Sequence, residues 1–317
     1  ANKPRTSVAP PIHLFHPVFG HFLDDIKRND AIPDDTIRLT TEYMKAASAI
    51  YANENERRNA LTPLLSKILG VDIQTIVNED KTIPDGMTDL KLGEHFENIL
   101  IYLTEHKNEI GEGNSASAAQ GGLSQGRSWA QPRFKKYRNS TNCPTFVMAT
   151  AGPWFVILGA VITDGVIVQR LTDYVWVGLD SVMNEPHITR VARILFALKT
   201  GLETLRKYYE AVQPSGSASP VDSRYFPSFT EYPGPDNQPV HFKYVGFLED
   251  TPDCTTLHAR TDTQPAKDIV VKFVDRYGRG HTACLQTQRI IWLQKFIIAD
   301  PCMSRTMTRH MDLFLWS

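Results

Sequence analysis

A chain of 317 residues, 42% apolar and 22% charged, has the make-up of an ordinary globular protein and is long enough for two domains. Its formal net charge of −1 excludes a global pull toward nucleic acid or an anionic membrane, so such a partner has to be met by a local patch. Four scattered cysteines (Cys143, Cys254, Cys284, Cys302) form no C-x-x-C pair and read as free thiols of a reducing compartment.

Residues 1–35 carry Pro10-Pro11, Pro17 and Pro33 and read as a loosely structured N-terminal arm. The first residues lack the apolar core of a signal peptide, and the longest apolar stretch, 155–162, is far short of the roughly 20 residues a bilayer takes. The expectation is an intracellular protein, cytoplasmic or nuclear, with no membrane partner. From 35 to 68, Ala47, Ile50, Leu61, Leu64, Leu65 and Ile68 recur at helical spacing, and Gly70 is the stop. Pro63 interrupts the pattern and predicts two helices.

Short strands are predicted over 73–78, 86–92 and 98–107, then a loop at 111–117 and a polar helix over 118–131. Residues 146–148, 154–162, 166–168 and 174–177 read as a meander of core strands. The clearest helix covers 185–212, with Ile188, Val191, Ile194, Leu195, Leu198, Leu202 and Leu205 in one stripe. The Ser/Pro-rich run 214–222 reads as a linker. Beyond it, 241–248, 255–260 and 268–274 are β-prone. The sum is an α/β domain over 36–213 and part of a second domain over 223–278.

The residues with most chemistry are Pro84-Asp85 and Glu105-His106-Lys107. Alternation along a strand puts Glu105 and Lys107 on one face and His106 on the other. Two carboxylates and an ammonium arriving from adjacent segments suit a Mg²⁺ ion and a water held beside it. Glu54 shares a helix face with Leu61 and Leu65 and can reach the same cluster; Gln120 opens the polar segment that follows. The bland reading is a half-exposed strand next to an ordinary Pro-Asp-Gly turn. The segment 127–138 packs Arg127, Arg133, Lys135, Lys136 and Arg138 among three aromatics, which suits phosphate contact with base stacking, or else a solvated helix end with its aromatics in the core.

A helix with Glu54, Pro84-Asp85, Glu105-x-Lys107 on the next strand and Gln120 on the next helix resembles the PD-(D/E)xK restriction-endonuclease-like fold, a mixed sheet flanked by helices. The resemblance covers about 40–180. It implies that Asp85 and Glu105 ligate Mg²⁺, that Lys107 polarises the attacking water, and that DNA is the substrate. Asp89 is the alternative to Asp85.

A second resemblance rests on Cys143-Pro144-Thr145, Ala151-Gly152-Pro153-Trp154, Leu158-Gly159-Ala160-Val161, Leu171-Thr172-Asp173-Tyr174 and the run from Val270 through Lys272 to Tyr277. Together they resemble the fungal-type protein kinases of mushroom-forming fungi. That implies an incomplete kinase small lobe of antiparallel strands after the linker, with Lys272 the residue that pairs ATP phosphates. The departures are large. No G-x-G-x-x-G precedes Lys272, and neither a His-Arg-Asp nor an Asp-Phe-Gly occurs anywhere. The family activity is ATP-dependent Ser/Thr phosphorylation, and the expectation for this chain is a truncated relative inactive as a kinase. The tail 279–317 departs from the family. From Ile290 onward the expectation is a shifted reading frame, with a genuine amphipathic tail as the alternative. The remaining expectations are a Mg²⁺-dependent nuclease and a catalytically silent module that binds a protein partner.

Overall fold

Helices and both parallel and antiparallel strand pairs make up the chain in a computed structural model. It describes residues 9–78, 81–92, 97–111, 117–179, 184–212, 223–234, 237–249, 251, 254–274 and 295–299. Two units divide the chain, one of Phe15–Tyr225 and one of Ala1–Leu14 with Phe226–Ser317.

The first unit contains α1 (Pro17–Asp25), α2 (Asp34–Ala47), α3 (Glu54–Leu69), β1 (Gly86–Leu92), β2 (Glu97–Glu105), α4 (Ser117–Ala130), α5 (Lys135–Ser140), β3 (Thr145–Ala151), β4 (Trp154–Ile162), β5 (Val166–Arg170), β6 (Val175–Trp176) and α6 (Asn184–Ala211). Helix α1 corrects the expectation of a loose arm. Pro17 is harmless at the first helical position, where its missing N–H would have had no partner. The His16 ring nitrogen accepts the Val18 N–H at 3.3 Å, and Phe19 and Phe22 are buried.

The two helices predicted between 35 and 68 exist, but Pro63 does not separate them. It sits inside α3, and the chain breaks instead over 48–53, where Ile50 is 97% exposed. Asn53 caps α3 by accepting the Glu56 N–H at 3.0 Å, and Gly70 closes it in the left-handed region at φ 67. A proline inside a helix costs about 3 kcal/mol. Burial of Leu61, Leu65, Ile68 and Leu69 offsets it, at roughly 1.5–3 kcal/mol per side chain.

The sheet runs in the order β1-β2-β3-β4-β5, with β6 also beside β4. Strands β2 and β3 pair in parallel and the other neighbours pair antiparallel. Helix α4 lies on one face, where Trp129 Nε1 donates to Thr145 Oγ1 at 2.8 Å. Helices α1 and α6 cover the other, with the Phe146 ring 5.2 Å from that of Phe19 and close against Gly201. Every residue of β3 is therefore buried, its two threonines included. The strand expected over 73–78 is reduced to one bridge, Gln74 to Met87.

The second unit holds one antiparallel sheet, in the order β11-β10-β9-β8-β7, from β7 (Glu231–Pro233), β8 (Pro239–Phe247), β9 (Thr256–Thr261), β10 (Asp268–Val274) and β11 (Lys295–Ala299). The linker 214–222 lies outside the described residues, as does the tail 279–317 apart from β11, which pairs with β10. Among the described residues no helix is long and apolar enough to cross a membrane, and Cys143 and Cys254 are unpaired and buried.

Candidate functional site

Strand β2 carries its apolar side chains into the core and ends on Glu105, at a rim where three other segments arrive. Asp85 stands immediately before β1, which pairs with β2, and its carbonyl accepts the Thr75 hydroxyl at 3.1 Å. Helix α3 brings Glu54 and Arg58 from its first turns. Helix α4 brings Gln120, and the close approach depends on Gly121. A Cβ there would lie 2.6 Å from Val147 and 3.7 Å from Glu105 Cγ.

The side chains interlock. Lys107 Nζ is 3.1 Å from Glu54 Oε2. Gln120 Nε2 donates to Glu105 Oε2 at 2.9 Å. Asp85 Oδ2 accepts the His106 N–H at 2.8 Å, and Asp85 Oδ1 accepts from Arg58 Nη1 at 3.1 Å. Arg58 Nη2 donates to Asn55 Oδ1 at 2.9 Å. The other oxygen of that carboxyl, Glu105 Oε1, is buried and has no hydrogen-bond partner among the described residues.

Burial pushes the Glu105 carboxyl up to about 8. The adjacent Asp85 carboxylate reinforces the rise, while the Ser124 hydroxyl and the Lys107 ammonium oppose it. His106 faces the other way, as alternation requires. It is fully buried, with Nδ1 2.8 Å from Thr150 Oγ1, and burial lowers it to about 4, so it is neutral. The Lys107 backbone is held by β3 and the turn after it: its N–H donates to Thr150 O at 2.9 Å and its carbonyl accepts from Gly152 N at 3.1 Å.

The five residues singled out in the sequence, Glu54, Asp85, Glu105, Lys107 and Gln120, thus meet at one rim. No protein-family model, curated protein or solved structure matches the chain. Asp89, the alternative to Asp85, lies within β1 opposite Leu100, and its side chain is outside what the structure describes.

Among the described residues no group of three or more His, Cys, Asp and Glu side chains is placed to hold a metal ion. Two neighbouring carboxyls are present, and one oxygen, Glu105 Oε1, lacks any partner. Mg²⁺ commonly takes one or two carboxylates and fills its remaining positions with water. Asp85 and Glu105 are the side chains that could hold one here, with Glu105 Oε1 the oxygen that has no hydrogen-bond partner.

Sequence reasoning missed Arg58, Asn55 and Ser124. Arg58 follows Glu54 by four residues on the same helix face, but that spacing carries no sign of its contact with Asp85.

The basic segment resolves into two parts. Trp129, Phe134 and Tyr137 are buried, so base stacking on them is not available. Arg138 Nη1 donates to the carbonyls of Trp129 and Gln131, the latter at 2.9 Å, closing the end of α4. Arg127, Arg133, Lys135 and Lys136 are exposed, with the Arg133 guanidinium 4.6 Å from the Phe134 ring centroid. In the second unit Lys272 is exposed on β10, opposite Thr256 of β9 and Ile297 of β11. Among the described residues it has no ion-pair partner.

Proposed function

We infer that the Phe15–Tyr225 unit is a Mg²⁺-dependent phosphodiester hydrolase of the PD-(D/E)xK kind, acting on DNA. The observation that carries this is the meeting of Asp85, Glu105 and Lys107 at the end of β2, with one carboxylate oxygen of Glu105 buried and unpartnered. Asp85 and Glu105 would hold the ion. Bound there, Mg²⁺ supplies Lewis-acid polarisation of the phosphate and lowers the pKa of a water. Lys107 stabilises charge developing on the attacked phosphate, and Glu54 fixes the ammonium for that task. Gln120 holds one oxygen of Glu105 so that the other is aimed. The exposed Arg127, Arg133, Lys135 and Lys136 lie on the surface where backbone phosphates would be met.

The test is Mg²⁺-dependent cleavage of DNA by the full chain. Activity lost in Glu105→Ala and in Lys107→Ala, with the far-UV spectrum retained, supports the reading; cleavage indifferent to both substitutions sinks it.

A second reading belongs to the other unit: an incomplete kinase small lobe in which Lys272 meets nucleotide phosphates. Its support is the antiparallel sheet with Lys272 on β10, flanked by strands on both sides. A thermal shift with ATP and Mg²⁺ that is lost in Lys272→Met is the expected outcome. No shift in the wild type leaves the catalytically silent partner-binding module as the account of this unit.

A further inference from the structure

Two consecutive arginines on α3 have different surroundings. The Arg57 side chain is 2% exposed; its Nη1 donates to Ala47 O at 3.0 Å, Nη2 to Ala49 O at 3.2 Å and Nε to Asn108 Oδ1 at 3.2 Å. Those anchors lie on three sides and tie together the α2–α3 connection and the segment after β2. Arg58 is 23% exposed and, among the described residues, is held by Asn55 on its own helix and by Asp85, itself 11% exposed. Its long side chain borders solvent, so it can leave Asp85 without opening the core.

Charge explains why it sits there. The carboxylates of Glu54 and Asp85 converge on the rim beside Glu105, whose carboxyl holds its proton at neutral pH, and Lys107 is already committed to Glu54. Carboxylates at the edge of a low-dielectric core need a compensating cation. The guanidinium supplies it, 3.1 Å from Asp85 Oδ1. A Mg²⁺ ion would bind that oxygen at about 2.1 Å and so stand within roughly 5 Å of the guanidinium nitrogen. Like charges that close repel, the more so at the edge of a low-dielectric core.

We propose that Arg58 is a built-in cation that competes with the divalent ion for Asp85, so that the ion enters as the guanidinium swings out to solvent. This rests on the metal-dependent reading of the site and adds its regulation. Apparent metal affinity is lowered by the share of molecules in which Arg58 occupies Asp85. Removing the positive charge at position 58 therefore tightens metal binding, which a purely structural arginine would not do.

The experiment is calorimetric titration of Mn²⁺ into the full chain at fixed pH, for the wild type, Arg58→Gln, Arg58→Lys, Asp85→Asn and the Arg58→Gln/Asp85→Asn double variant, with far-UV circular dichroism to verify folding. The expected result is Mn²⁺ binding at least about tenfold tighter in Arg58→Gln, near wild type in Arg58→Lys, and lost in both Asp85→Asn proteins. Equal affinity in the wild type and Arg58→Gln, with loss in Asp85→Asn, overturns the role of Arg58 and leaves the metal site standing. Absence of Mn²⁺ binding in every folded variant, Arg58→Gln included, overturns both.

Discussion

Each sheet has a lysine that sequence alone makes conspicuous, Lys107 just past the end of β2 and Lys272 within β10, and the surroundings of the two differ. In the first unit β3 is buried throughout and β4 at all but its ends, because helices lie on both faces. Charges at the rim of such a sheet are enclosed by neighbouring elements, and Lys107 meets Glu54, near Glu105 and Asp85. In the second unit β8 and β9 alternate between buried and exposed positions, so one face is open among the described residues. Lys272 stands on such an exposed position. A lysine on a strand becomes a candidate catalytic group through what surrounds the sheet, more than through its own motif.

The strongest way to break this contrast is to strip a cover from the first sheet. Phe19→Ala deletes a fully buried ring packed on Phe146 and Gly159, and is expected to cost about 3–5 kcal/mol in urea denaturation. A loss below about 1 kcal/mol would mean that α1 is not a working part of the core. Next in size, Lys107→Ala should lower Mg²⁺-dependent cleavage by roughly a hundredfold or more, while Lys272→Ala leaves it unchanged. Equal losses in the two would erase the distinction between the sheets.

A smaller effect comes from pH. The Glu105 carboxyl lies at about 8 in the folded chain against 4.5 ordinarily, so between those values the folded state keeps a proton that the unfolded state has lost. Its stabilising contribution is complete below about 4.5 and is lost as pH rises through about 8. Glu105→Gln should flatten that slope and exceed the wild type by at least ~1 kcal/mol at the alkaline end, read from denaturation midpoints across pH. A wild-type slope that survives in Glu105→Gln would assign it to another group. Smallest of all, Lys272→Ala should change stability by no more than about 0.5 kcal/mol, as expected for an exposed side chain; a larger loss would show that Lys272 is enclosed after all.

Much of the first unit was legible because its signals are redundant. Helix α6 shows one apolar stripe from Ile188 to Leu205, and β3 and β4 carry apolar runs separated by Gly152-Pro153. Helix α1 was not, because prolines on either side of His16 suggest a loop, and the ring nitrogen that caps the helix is not a common cap. Pro63 misled for the opposite reason: packing on both sides of it carries α3 through. Glu54, Asp85, Glu105, Lys107 and Gln120 could be named from motif spacing, yet the guanidinium of Arg58 on Asp85 could not. An arginine in a charged helical turn resembles any solvated residue until the chain is folded.

The missing side chain at Gly121 sets how dry Glu105 is. With hydrogen there, α4 rests directly on Val147 and roofs the carboxyl; a methyl group, at 2.6 Å from Val147, would have to lift the helix like a wedge. Water let in beneath it would hydrate the acid and let it ionise nearer neutrality or below, so one atom on a neighbouring helix works as a tuning screw for the proton affinity of a residue it never bonds.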